Sequence, residues 1–169
     1  IPARLAELAA YLKEKTERLG LPMPRFLMEP GRSIVADAGM TLYTVGSVKR
    51  IPGYKQYAAV DGGMTDNPRY ALYQSRYTVY HAHKSGSMER FDVVGRCCES
   101  GDIIQPGVEL PGDTCRGDIL AVCTTGAYNY SMASNYNRLP RPAVVMLTPD
   151  RIYEAVRREN FADLTGLDL

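Results

Sequence analysis

From residue 41 onward the chain is broken into short β-rich runs, and this punctuation limits its possible folds more than any other feature. TLYTVGSVKR (41–50), QYAAVDGG (56–63), RYTVYHAH (76–83), RFDVVGRC (90–97), DILAVCTT (118–125) and PAVVMLT (142–148) are separated by clusters of Gly, Pro, Asp and Asn. Strands of this length and spacing predict a mostly β fold, an antiparallel sandwich or Greek-key barrel. A last helix is expected over about 150–159, with Asp150 as its N-cap and Ile152 and Val156 facing inward.

The first forty residues read differently. Leu5, Leu8, Leu12 and Leu19 recur at helical steps opposite Glu7, Lys13, Glu14 and Lys15, with Gly20 as a C-cap and Pro22 and Pro24 preventing resumption. Arg25-Phe26-Leu27-Met28 then reads as a short buried strand. Helix followed by buried strand is an α/β signature. A single such strand leaves its edges unpaired. The expectation is therefore that this piece packs on another chain, or that most of an α/β domain lies upstream.

Composition narrows the function classes. At 169 residues and a formal net charge of +1, one domain with a sizeable core is expected. Neither a nucleic-acid groove nor an anionic membrane is the expected partner. No run approaches the roughly 18 apolar residues of a membrane span. The charged N-terminal stretch does not read as a signal peptide. Four cysteines (Cys97, Cys98, Cys115, Cys123) include a vicinal pair, which suits neither a disulfide framework nor zinc spacing, and point to a reducing cytoplasm. His81 and His83 would share one strand face, as metal ligands do, but no second ligand pair matches them.

Four stretches carry more polar and glycine residues than folding needs. MEPGRS (28–33) places a carboxylate and an arginine around a Pro-Gly turn. DGGMTDNPRYALY (61–73) sets Gly62-Gly63 for close backbone approach, and Arg69 and Tyr73 four apart, sharing one face of a helical turn as a carboxylate clamp. VVGRCCESGD (93–102) puts a thiol beside a carboxylate on a loop. TTGAYNYSMASNYN (124–137) is dense in Tyr, Ser and Asn after a strand, with Tyr128 placed to donate to a phosphate. Each stretch alone reads equally as a polar surface turn.

In this order, EPGRS, DGGMTDNPRYALY, CESGD and GAYNYSMASNYN resemble the diaminopimelate decarboxylase family of pyridoxal-phosphate enzymes over nearly the whole chain. The resemblance implies that residues 1–40 are the end of a cofactor-carrying (β/α)8 barrel. Residues 41–169 would be a β domain contributing to the active site and the dimer interface. It implies that Glu29 pairs with the pyridine nitrogen, that Gly31 and Arg32 lie near the cofactor phosphate, and that Tyr128 reaches phosphate or substrate. Arg32, Arg69 and Tyr73 would hold the substrate's distal carboxylate. Cys98 would be the acid that protonates the α-carbon, Glu99 would bind the distal ammonium, and Ser100 would enter the partner subunit's site with them. An anion clamp together with a carboxylate favours meso-diaminopimelate over ornithine, which has only an amine at that end.

Two departures matter. Tyr70 stands where the family carries proline, and none of the five lysines (Lys13, Lys15, Lys49, Lys55, Lys84) stands in the context of the family's cofactor-bonding lysine. The expectation is a homodimeric cytoplasmic lyase of lysine biosynthesis whose residues 1–169 are inactive alone. Alternatives are an ornithine- or arginine-type decarboxylase and a non-catalytic regulatory β domain. Cys97 is expected to serve packing or surface.

Overall fold

The computed structural model describes residues 2–169. They form two compact units, the first ending at Ile34 and the second running Val35–Leu169. The first holds α1 (Pro2–Arg18), ended by Gly20 at φ +65°. Its apolar stripe buries nothing completely. The strand expected at 25–28 is not formed: the segment is irregular, and Leu27 is 74% exposed. A strand needs a neighbour for its backbone N–H and C=O groups, and no described strand pairs with this one. α2 (Arg32–Val35) follows.

The second unit is built on six strands: β1 (Met40–Ile51), β2 (Lys55–Val60), β3 (Val79–His81), β4 (Met88–Val94), β5 (Ile103–Pro111) and β6 (Ile119–Cys123). They make one sheet in the order β3-β6-β1-β2-β4-β5. Period-two alternation sends Tyr43 and Val45 of β1 inward, to meet Val60, Phe91, Leu120 and Val122 in one core. Each fully buried Phe or Leu contributes roughly 1.5–3 kcal/mol. The edges approach each other: the Tyr77 N–H, just ahead of β3, donates to Gln105 Oε1 of β5 at 2.7 Å, so the sheet is nearly a closed barrel.

The mostly β architecture is the expected one, but its strand pairs are not all antiparallel. β2 and β4 pair in parallel (Tyr57 with Asp92, Ala58 with Val93, Ala59 with Val94), while the remaining pairs are antiparallel. Their connection crosses the sheet through α3 (Arg69–Tyr73) and β3. β5 was hidden from sequence reading by Pro106 and Gly107, which resemble a loop. A bulge against β4 absorbs both: Gly107 sits at φ +67°, and its N–H donates to Asp92 Oδ1 at 2.8 Å.

The helix expected over 150–159 is a strand. β7 (Val144–Leu147) and β8 (Ile152–Val156) form an antiparallel hairpin, closed by Thr148, whose N–H and hydroxyl both donate to Arg151 O at 3.0 Å. The Ile152–Val156 spacing fits a period of two as well as a helical turn, and the turn chemistry of Thr148-Pro149-Asp150 decides for the hairpin. The hairpin is strongly exposed, with Leu147 at 73% and Ile152 at 74%. α4 (Phe161–Thr165) follows, its start fixed by a capping box between Asn160 and Asp163. Among the described residues no helix is long and apolar enough to cross a membrane.

Glu159 ties this C-terminal segment to the loop at 135–141. Its carboxylate accepts from Arg141 Nε at 2.7 Å, the Arg141 N–H at 2.8 Å and Asn135 Nδ2 at 2.7 Å. The Arg141 side chain foremost, then its N–H, hold the Glu159 carboxyl at about 2 against an ordinary 4.5. A carboxyl lowered by folding contributes stability that is complete above its unfolded value and is lost as pH falls through the folded one. Acid unfolding followed by circular dichroism should therefore show stability declining between pH 4.5 and 2, and E159Q should flatten that decline.

Candidate active site

Strand direction gathers the three loop motifs of the second unit. β2 and β4 are parallel, and β1 is antiparallel to both β2 and β6. β2, β4 and β6 therefore point the same way, and the segments that leave their C-terminal ends, 61–73, 95–102 and 124–138, emerge at one end of the sheet.

The first loop is held by buried carboxylates on two sides. The Tyr43 hydroxyl donates a very short hydrogen bond to Asp66 Oδ2, and the Gly63 N–H donates to Asp66 Oδ1 at 2.9 Å. Burial holds the Asp66 carboxyl above its ordinary range and, with the Asp66 charge, pushes the Tyr43 phenol well up. On the other side the Met64 N–H donates to Asp102 Oδ1 at 2.6 Å. Close backbone approach at Gly62-Gly63 thus has a specific object at Gly63, where an added Cβ would lie 2.6 Å from an Asp102 oxygen.

This turn launches α3 directly after Pro68, at φ −77°. Tyr70 does not disturb it, since the helical turn forms and Gln74 in the left-handed region ends it. The predicted pairing on one helical face is realised: the Arg69 guanidinium carbon is 5.0 Å from the Tyr73 ring centre and 5.5 Å from that of Tyr128. Arg69 Nε is buried and has no hydrogen-bond partner among the described residues.

The second loop separates the two vicinal cysteines. The Cys97 N–H donates to Asp102 Oδ2 at 2.7 Å, and its half-buried thiol is raised to about 11, first by burial and then by the Asp102 charge. Cys98 is exposed, its N–H donating to Asn137 Oδ1 at 3.0 Å. Glu99 takes the Tyr136 hydroxyl at 3.3 Å and the Ser100 hydroxyl at 3.4 Å, and its charge pushes the Tyr136 phenol up.

The third loop bridges the other two. The Ser134 N–H donates to Thr65 O at 2.8 Å, Met132 Sδ lies 3.7 Å from Arg69 Nη1, and Tyr136 and Asn137 reach the cysteine loop. Thr124, Tyr128, Asn137 and Arg138 all take positive φ, four of the five such non-glycine residues described. Backbone strain of this kind costs of order 1–3 kcal/mol per residue and persists where surrounding contacts enforce it.

Arg69, Tyr73, Tyr128, Cys98, Glu99 and Ser100 therefore share one end of the second unit, in two groups linked through residues 132–137. Glu29 and Gly31 are exposed in the first unit, where Arg32 opens α2 half-buried. Asp102, Tyr136 and Asn137 were missed as site residues, although their stretches were quoted, because their partners Met64, Glu99 and Cys98 lie 37 to 39 residues away in sequence. His81 is a structural residue. Its Nδ1 accepts the His83 and Lys84 N–H groups at 3.2 and 2.9 Å, and Nε2 lies 3.1 Å from Asp118. No group of three potential metal ligands occurs among the described residues.

Residues 32–126 match the family model described as pyridoxal-dependent decarboxylase, C-terminal sheet domain. A diaminopimelate decarboxylase of Bacillus subtilis (strain 168) is 51% identical over 160 residues, which are 94% of this chain and 36% of that relative. The crystal structure of diaminopimelate decarboxylase from M. jannaschii superposes with a TM-score of 0.80 at 35% identity, covering 88% of this chain and 34% of that one. The Helicobacter pylori enzyme, complexed with L-lysine, gives 0.76 at 37% identity, covering 83% and 34%. The chain spans about a third of the length of these relatives.

The two cysteines should differ in solution. Iodoacetamide at pH 8, followed by peptide mass mapping, should label Cys98 at least about tenfold faster than Cys97, since only the thiolate reacts. Equal rates would contradict the environment found for Cys97.

Proposed function

The chain belongs to the pyridoxal-dependent decarboxylases, matching their C-terminal sheet domain, and on that premise we propose that it supplies half of the active site of a diaminopimelate decarboxylase. The observation that carries this reading is the buried, unpartnered Nε of Arg69 in a guanidinium framed by Tyr73 and Tyr128. A planar cation with unused donors fits an anionic group, and a carboxylate or phosphate satisfies it bidentately. The residues present fit the acidic ends of cofactor and substrate. They do not include a lysine for covalent attachment: Lys55 and Lys84 are paired with Asp92 and Asp118, each at 2.7 Å, Lys49 is exposed on β1, and Lys13 and Lys15 lie on α1. That group belongs to the barrel the family carries.

When bound, pyridoxal phosphate withdraws the electron pair left on the substrate's α-carbon as CO2 departs. The chain's own residues act around that event. Glu29 would face the ring nitrogen, and Gly31, Arg32 and Tyr128 would face the phosphate. Arg32, Arg69 and Tyr73 would hold the distal carboxylate of meso-diaminopimelate, and Glu99, steadied by Tyr136 and Ser100, its distal ammonium. Cys98 would then deliver the proton to the α-carbon, where the carboxylate has left. An exposed thiol on a loop tip suits delivery into a neighbouring subunit, so we place Cys98, Glu99 and Ser100 in the partner's site of a cytoplasmic homodimer. The apolar side chains exposed on β1 (Met40, Leu42) and on the β7–β8 hairpin suit burial against further protein. An ornithine-type substrate would leave the Arg69 clamp unfilled.

Residues 35–169, exchanged for the corresponding segment of the Bacillus subtilis relative, should yield a protein that forms lysine and CO2 from meso-diaminopimelate. C98A should lower kcat about 100- to 1,000-fold, the usual worth of a positioned general acid. E99Q should raise KM about tenfold or more through loss of a charged hydrogen bond. Residues 1–169 alone should release no CO2. A chimera that folds yet prefers ornithine, or a C98A variant within threefold of the parent, would overturn the reading.

A further inference from the structure

We propose that Asp102 is a positioning residue, a buried carboxylate that ties the turn after β2 to the turn after β4 and thereby fixes Arg69 and Cys98 relative to each other. The functions of those two rest on the reading above; the tie itself does not. Asp102 is 4% exposed and immediately precedes β5. Its two oxygens are divided between the loops: Oδ1 accepts the Met64 N–H at 2.6 Å and Oδ2 the Cys97 N–H at 2.7 Å. A third bond between the same turns, Arg96 N–H to Gly62 O at 3.1 Å, runs beside them.

The surroundings select aspartate. Both partners are N–H donors and each faces a different oxygen, so both ends of the bridging group must accept; a carboxylate does this, whereas an amide would turn its NH2 toward one of the donors. Added Cβ atoms at Gly63 and Gly95 would lie 2.6 and 2.2 Å from the carboxylate oxygens, so the two glycines form the slot that admits it. Glutamate, longer by a methylene, has no space there.

The tie reaches Cys98 through the turn it closes. Cys97 is anchored at one end, and at the other the Asp102 N–H donates to Glu99 O at 3.1 Å while the Glu99 N–H donates to Cys97 O at 2.8 Å. Cys98, Glu99 and Ser100 form the tip of that closed turn. On the other side, Met64 lies five residues before Arg69, and the intervening Asp66 and Asn67 N–H groups both donate to Gly63 O. Each functional side chain thus stands at the end of a short, internally bonded arm, and both arms meet at one carboxylate.

Asp66 provides the control, because it ties the first turn to Tyr43 of β1 and not to the second turn. In the wild-type chain, hydrogen exchange followed by NMR should show the Met64 and Cys97 amides protected about 100-fold or more relative to unstructured peptide, although neither lies in a strand. D102N should abolish that protection and change the Cys98 alkylation rate about tenfold, whereas D66N should leave the Cys98 rate within twofold. In the active chimera, D102N should lower kcat about 100-fold, with KM for meso-diaminopimelate moving less than tenfold. Unprotected Met64 and Cys97 amides in the wild type would overturn the proposal and require no variant that might misfold. A folded D102N with unchanged Cys98 reactivity would overturn it equally. Should the chimera lack decarboxylase activity while D102N still releases both amides and alters Cys98, the tie stands and the functional reading fails.

Discussion

The parallel alignment of β2 with β4 is the constraint on which the rest of the second unit depends. An antiparallel pair would send the loops after these strands to opposite ends of the sheet, and no side chain could bridge them. Parallel pairing requires a long crossover, and here that crossover is the motif-bearing segment from Asp61 through α3 to β3. One topological choice therefore creates the loop that carries Arg69 and sets it beside the loop that carries Cys98.

Charge then does locally what topology does globally. Asp66 and Asp102 are both buried; Asp102 accepts two backbone N–H groups of turns, and Asp66 accepts one together with the Tyr43 hydroxyl. Burying a carboxylate is costly unless its oxygens are satisfied, and satisfied carboxylates fix geometry more tightly than neutral acceptors do. Burial, with the Asp102 charge second, sets the two cysteines apart. Cys97 is burdened by burial and a neighbouring negative charge, while Cys98, one residue on, faces solvent with its backbone held by Asn137.

What could be read from the sequence followed the range of the interactions. The Arg69–Tyr73 pairing was legible because four-residue spacing on a helical turn is a local rule, and the short β-rich runs announced β1, β2, β3, β4, β6 and β7. β5 was obscured because Pro106 and Gly107 break strands everywhere except at a bulge. β8 was misread as a helix because Ile152 and Val156 satisfy both periods. The strand expected at 25–28 has the right residues but no neighbour to pair with among the described residues, which a local pattern cannot reveal. The Asp102 tie, spanning 38 residues to Met64, had no local signature. The ordered motifs nevertheless pointed to the right family, because four short stretches in sequence order are far more specific than any one of them.

We propose that each site joins the loops after β2 and β6 of one chain with the loop after β4 of its partner. A double-mutant cycle on kcat/KM in the active chimera tests it most directly, taking R69A, C98A and Y128F singly and in pairs. Residues that act as a unit lose much less in combination than the product of their single losses, and coupling here should amount to about 1 kcal/mol or more. Strictly additive losses for every pair would mean that the three loops act independently, and would contradict the account.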